Sequence, residues 1–578
     1  MKEKLSIEEV VAADGSGKVL PNANGCLDGF VYVAKREELC RKARLKPWLF
    51  AVFLLTAGVC MTLQKAEAQA PLARHFWLNQ ESVNYTLSPP TSKGQWILAA
   101  ARTERQATGV GQKNTIAVFR LDYKYAILRN ESPELEDPCS EDVSVIGIPL
   151  YNEEDLEAGQ EQVFNPYMDF TVHCVVEVDD SVERYVLCGS VRNTAQGASA
   201  KSIGIVAVLD EHLKLISLHA YDTVKMFYSV YAKGSFYYAC GQMQNGKGIV
   251  LQDSLLGLSP WWGISAWVTN YPWVFHKIVP NNTSNPNLPE VSVSGANDTA
   301  IGWNVFQTTW GSFTHWSGQS FKPPYAIDTL SKVTLAYYPP VSSNSNLTGL
   351  LLSASSGPTA TGRQVLHTYQ FNYNKSPIMN HAFYIDWRGR LEDMDCDGDD
   401  SSRYGVAWVG NKPGTADIPQ PTADYIHTDI SFPPATPNSA YVIPFTPYYS
   451  NNDKSAWYSL HKVHYFPKTL PNGNNEFHAG GYYHNYFYTS DHPLNRTTFV
   501  VTPDLVIQDI GEKAPCAEKI ELTITDITPF NTTSFSMQRI YIEGEDIEKF
   551  TQRYGFCTMD CEGNRDEDCG NKLLNKKK

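Results

Sequence analysis

The order of apolar and polar positions from Tyr185 to Asp210 (YVLCGSVRNTAQGASAKSIGIVAVLD) describes one unit. An apolar run carries a small residue at Gly189, a polar Gly/Ser/Asn stretch follows, and a β-branched run closes on an aspartate. Such runs bounded by turn residues predict two strands joined by a turn or a longer loop. The same order returns at Trp96–Asp122 and Phe236–Asp253, and more loosely at Leu350–Asn372 and Glu476–Asp504. Val406–Asn411 supplies a further first half, and Ala100, Gly241, Ala354, Gly410 and Gly480 align with Gly189.

An isolated two-stranded hairpin is marginal in water, whereas sheets arranged radially bury both faces and leave short, protected edges. The spacing resembles that of kelch-type repeats, roughly fifty residues per four-stranded blade. The pattern therefore predicts an all-β chain whose residues 94–510 form a β-propeller of about six to eight blades. The small residues are expected where blades converge. Two stacked sandwich domains would explain the strands but not their repetition.

The flanks read differently. Residues 1–46 are polar and weakly patterned, as a disordered cytoplasmic tail would be. Basic residues at Arg41–Lys46 precede an apolar segment, Pro47–Leu63. That segment predicts either a transmembrane signal anchor or a signal-peptide core cleaved near Ala68, and both outcomes send the rest of the chain across the membrane. Residues 64–93 read as a linker. Residues 511–578 read as a strand followed by a small cap in which Cys557, Cys561 and Cys569 close onto Cys516.

Composition narrows the partners. The chain has 578 residues with a formal net charge of -14, which argues against nucleic acid. Aromatics make up 12% of it, with 32 tyrosines, as suits an all-β chain. The nine cysteines after the apolar segment lack paired zinc-type spacing, and Cys139, Cys174, Cys188 and Cys240 with the C-terminal group predict disulfides. Their odd number leaves one to stay free or to link a homo-oligomer. Sequons at Asn84, Asn130, Asn281, Asn297, Asn346, Asn495 and Asn531 predict N-glycosylation on the same side of the membrane. Asn282 overlaps Asn281, and Pro377 weakens Asn374.

Candidate chemistry is local. Asp393, Asp395, Asp397 and Asp399 alternate with a glycine at position 398, a pattern that can wrap oxygen ligands around one Ca2+. The loop resembles the D-x-D-x-D-G calcium loops of integrin-α-type propeller repeats, which implies a structural calcium; Cys396 inside it departs from that pattern. Trp261, Trp262 and Trp267 open an aromatic cluster suited either to filling wedges between blades or to recognising a ligand. Histidines such as His461, His464, His478 and His484 are expected to satisfy hydrogen bonds along strands. No catalytic residue is assigned: there is no Asp box, no nucleophile elbow, no H-E-x-x-H and no P-loop.

The plan of short inner tail, single span and propeller head resembles viral attachment glycoproteins of the paramyxovirus type. Their N-R-K-S-C-S signature and long stalk are absent. The resemblance implies a glycoprotein of a cell surface or viral envelope, or a secreted one if the apolar segment is cleaved, that binds a glycan or protein receptor. The alternatives are a carbohydrate-active enzyme of the sialidase or glycoside hydrolase kind on the same scaffold, and a structural coat glycoprotein.

Overall fold

A computed structural model describes residues 73–76 and, with interruptions at loops, residues 84–556; residues 1–72, 502–519 and 557–578 lie outside the described residues. The cytoplasmic tail and the anchor or signal segment therefore fall outside it. Among the described residues no helix is long and apolar enough to cross a membrane.

The chain is all-β. Among the described residues seven antiparallel sheets follow one another, at residues 84–147, 168–221, 224–272, 274–321, 334–385, 390–445 and 456–501. Within each sheet the strands lie side by side in chain order. The first strand of every sheet touches the first strand of the next, and that of sheet seven (Ala456–Phe466) returns to that of sheet one (Asn84–Leu87). The sheets thus close a propeller-like ring with their first strands innermost.

Packing explains the ring. Seven separate apolar clusters occupy the gaps between neighbouring sheets. In sheet two, Tyr185, Leu187 and Ile205 face sheet one, whereas Val186, Cys188 and Val206 face sheet three. Strands buried on both faces need apolar residues at successive positions, which is why YVLC and IVAVL read as continuous runs rather than alternating ones. Each fully buried aliphatic or aromatic side chain contributes roughly 1.5–3 kcal/mol.

The ends of the chain close the outer edges. Ala73–Phe76 adds the outermost described strand to sheet seven, pairing with Arg496–Val501. The C-terminal part then runs back around the ring as a belt, adding a fifth strand to each remaining sheet in reverse order. Ile520–Leu522 pairs with sheet six, Ile524–Asp526 with five and Thr533–Ser534 with four. Met537–Ile542 pairs with sheet three, Glu545–Asp546 with two and Phe550–Phe556 with one. Main-chain pairing of this kind covers edges that would otherwise template aggregation.

Two boundaries are corrected by this arrangement. Residues 64–93 are not wholly linker, since they hold one strand of sheet seven and the first strand of sheet one. Residues 520–556 are not part of a compact cap but a peripheral belt; Cys516, Cys557, Cys561 and Cys569 lie outside the described residues.

Candidate functional site

The first strands carry a repeated irregularity. In five of them an extra residue interrupts the pairing with the second strand at a matching position, His173, Tyr228, His276, Glu392 and His461, and that of sheet three has a second shift at Lys225. The residue before each extra one is apolar and pairs with a glycine, as in Val172–Gly189, Phe227–Gly241, Phe275–Gly295, Leu391–Gly410 and Leu460–Gly481. A bulge of this kind gives up a ladder contact and re-aims a side chain. Five copies re-aim five polar or aromatic side chains at one level of the inner ring.

The glycines have a steric cause. A β-carbon on Gly189, Gly241, Gly295, Gly410 or Gly481 would stand 1.7 to 2.3 Å from the carbonyl oxygen two residues before the bulged residue. Sheets one and five carry alanine at Ala100 and Ala354, and their described first strands pair without a bulge. The small residues therefore make room for a bulged carbonyl rather than for converging blades, and in sheet seven the residue concerned is Gly481, not Gly480.

The bulged side chains form a girdle. The rings of His173 and Tyr228 lie 5.0 Å apart, and those of Tyr228 and His276 5.5 Å. His276 accepts a hydrogen bond at Nδ1 from the Val333 amide (3.2 Å), which leads to Lys332 at the head of sheet five. Lys332 Nζ lies 2.8 Å from Glu392 Oε2, and His461 Nδ1 lies 3.4 Å from the same oxygen. All six side chains are partly exposed. Three aromatic rings thus occupy sheets two to four, and an ionic group occupies sheets five to seven.

A second layer lies beneath. Lys277 Nζ reaches from sheet four across sheet five to Asp393 Oδ1 at 2.6 Å, and also donates to the Met394 carbonyl. His464 bonds the Leu87 carbonyl through Nε2 at 2.9 Å, and its Nδ1 lies 3.9 Å from Asp395. Burial opposes ionisation of Asp393, but the ammonium groups of Lys277 and Lys462 outweigh it and hold the carboxyl down at about 2. Burial likewise opposes the charge on Glu392, and Lys332 with His461 overrides it, so this carboxyl sits well below its ordinary range. Burial pulls His276 down to about 3 and His464 to about 4, so both rings are neutral at physiological pH.

The aspartate pattern is not a free loop. Asp393 and Asp395 stand on the first strand of sheet six (Arg390–Cys396), and the cation beside Asp393 is the Lys277 ammonium. Asp395 accepts from the amides of Tyr465 and Cys396, both at 2.9 Å. The Asp397 amide donates to the Gly405 carbonyl, and Asp399 lies outside the described residues. Among the described residues no group of three or more His, Cys, Asp or Glu is arranged to hold a metal ion.

The disulfide expectation does not hold for Cys174, Cys188 and Cys240, which are buried free thiols, as is Cys396. Cys174 and Cys188 pack in the apolar layer between sheets two and three, and Cys240 packs in that between three and four. Burial pushes the thiols of Cys188, Cys240 and Cys396 up. Cys139 lies outside the described residues.

Trp267 is remote from the girdle, on the fourth strand of sheet three, where its indole N–H donates to the Phe313 carbonyl at 3.2 Å. It fills a wedge between sheets; Trp261 and Trp262 lie outside the described residues. Of the sequons, Asn297 sits in the turn between two strands of sheet four and Asn531 is exposed on the belt. Asn84 is the first residue of a strand, and Asn130, Asn281, Asn346 and Asn495 lie outside the described residues. His464 and His478 do satisfy hydrogen bonds, to the Leu87 carbonyl and the Tyr125 hydroxyl.

Sequence reasoning overlooked His173, Tyr228, His276, Lys332 and Glu392. For all of these but Lys332, the available signal was a polar or aromatic residue directly after an apolar one in a first strand, followed by a glycine in the next strand. Compared with known proteins, the chain matches no family model and no curated protein.

Proposed function

We propose that this chain is a seven-bladed β-propeller that acts as a recognition module at a cell or particle surface, where it binds a glycan or protein receptor. The observation that supports this reading most is the girdle His173–Tyr228–His276–Lys332–Glu392–His461, polar and aromatic groups of which all but Lys332 are held by a repeated bulge, on a scaffold with covered edges. Binding groups on a rigid framework are a general solution to recognition. In this reading the apolar segment 47–63 anchors the chain or directs its export, and glycans at Asn297 and Asn531 lie away from the inner ring.

The test is binding of the fluorescently labelled full chain to cells before and after protease or glycosidase treatment. Saturable binding lost with either treatment supports receptor recognition; binding to no cell or particle under any condition refutes it.

A second reading, a carbohydrate-active enzyme, is favoured by the two carboxylates of Asp393 and Asp395, two positions apart on one inner strand. Glycoside hydrolysis uses a pair of carboxyl groups, one donating a proton while the other accepts or attacks. Turnover of fluorogenic glycosides, lost on Asp395→Asn, would select this reading over pure binding.

A further inference from the structure

We propose that the girdle binds carbohydrate and that its ligand is a neutral pyranose rather than an anionic sugar. This rests on the recognition reading and narrows it to one site and one ligand class.

The aromatic half supplies the platform. His173, Tyr228 and His276 form an unbroken run of ring contacts at 5.0 and 5.5 Å across three sheets, tilted by 39° and 64°, so a sugar would meet one ring face at a time. Rings with an apolar face and a polar edge match a pyranose, whose C–H face is apolar and whose rim carries hydroxyls. The imidazole of His276 is already oriented by the Val333 amide, so this part of the platform is fixed before a ligand arrives.

The ionic half supplies the rim. Glu392 lies between Lys332 and His461, and a carboxylate offers more acceptor sites than these two donors use. The Lys332 ammonium has three protons, of which the bond to Glu392 needs one. Side-chain exposures of 29% for Lys332, 17% for Glu392 and 27% for His461 leave all three reachable. Adjacent donor and acceptor groups are what vicinal hydroxyls require.

Charge selects the ligand class. Lys332 is paired with Glu392 and Lys277 with Asp393, while Lys462 also faces Asp393 and Asp395 lies beside His464. Lys332 and Lys277 are thus each matched by a carboxylate. An entering carboxylate or sulfate would meet the Glu392 carboxylate, whose partner Lys332 is already committed to it, whereas hydroxyls add no charge. Sugars such as sialic acid are disfavoured on this ground.

The experiment is saturation-transfer NMR on the full chain with methyl α-galactoside, methyl α-mannoside, methyl α-glucoside and sialyllactose. Transfer to at least one neutral glycoside is expected, with sialyllactose no better than its neutral lactose core. Tyr228→Leu keeps apolar bulk but removes the ring, and should weaken binding about tenfold; Glu392→Gln should also weaken it. Melting temperatures identify a variant that has merely lost its fold, and Tyr228→Phe, expected to retain binding, keeps the test informative if Glu392→Gln is unstable. Binding of sialyllactose alone, or neutral binding unchanged in both folded variants, overturns the proposal. Cell binding that persists in both variants with no sugar signal, as for a peptide ligand, overturns the sugar assignment but leaves receptor recognition standing. Absence of both signals overturns the two together.

Discussion

A β-carbon placed on Gly189 would stand 1.8 Å from the carbonyl oxygen of Thr171. That carbonyl belongs to the bulge that turns His173 out of the ladder, so the glycine on one strand sets a side-chain direction on its neighbour. Gly189→Ala must flatten the bulge or displace the strand, at a cost of about 1–3 kcal/mol as for other overpacked sites. Chemical denaturation should show that loss, while Ala100→Gly in sheet one should cost less than about 1 kcal/mol. Equal effects would remove the steric argument.

Lys277 and Asp393 form a nearly enclosed pair, with side-chain exposures of 18% and 3%. Lys277→Met leaves a buried carboxylate without its nearest cation and should cost about 3–5 kcal/mol. Adding Asp393→Leu should recover most of that loss, because the uncompensated charge is then gone. A double variant no better than the single one would mean that the packing of Lys277, not its charge, matters.

Acid should destabilise the fold. Burial is the first cause that lowers His276 and His478 to about 3, and His315, His367 and His464 to about 4. A depressed histidine gives stability that is complete above its unfolded value near 6.5 and is lost as pH falls toward the folded value. Asp395, raised first by burial to about 6, acts oppositely between about pH 4 and 6, and Asp253 and Asp424, also raised first by burial, act in the same sense. They are fewer, and Asp395, with 31% of its side chain exposed, weighs least. Denaturation midpoints should therefore be flat above pH 7 and fall from pH 6.5 to 4; a midpoint that rises over that interval contradicts the assignment.

The belt should be the first part to open. The described side chains of its strands are mostly exposed, and the firmest holds among them are Phe535, 4.7 Å from the Trp273 ring, and Ile542 in the layer between sheets two and three. Hydrogen exchange should be faster in residues 520–534 than in the second strands of the sheets. A chain ending at residue 519 should associate through its uncovered edges on size-exclusion chromatography. Monomeric behaviour at high concentration would show that the edges are protected by other means.

Cys174, Cys188, Cys240 and Cys396 should resist alkylation in the native protein and react in denaturant without prior reduction. Peptide mapping that finds any of the four in a disulfide would contradict the structure at that position.

Much of the ring was legible because its strands are buried on both faces and their residue types repeat. YVLCGS and FYYACGQ announce second strands by apolar content alone. The unit at VSVSGANDTAIGWNV was passed over, since serines alternate through its second strand and dilute that apolar signal. The belt was illegible for a different reason: TS and ED pair through main-chain groups, which any side chain permits. The site was hidden by the bulges themselves, because an inserted residue shifts the period on which pattern reading depends. Only after Gly189, Gly241 and Gly410 are placed opposite a carbonyl does the meaning of the residues beside them emerge.

Sheet one is completed by the final described strand of the chain, where Tyr554 pairs with Val143. Between the synthesis of those partners a ribosome must add on the order of 400 residues, which takes roughly 20–80 s. Throughout that interval the earliest sheet emerges with an open flank, and an incomplete polypeptide cannot seal it. Synthesis of the belt thus becomes a condition for maturation, and chaperones or degradation machinery have a structural means of telling molecules that carry it from those that do not.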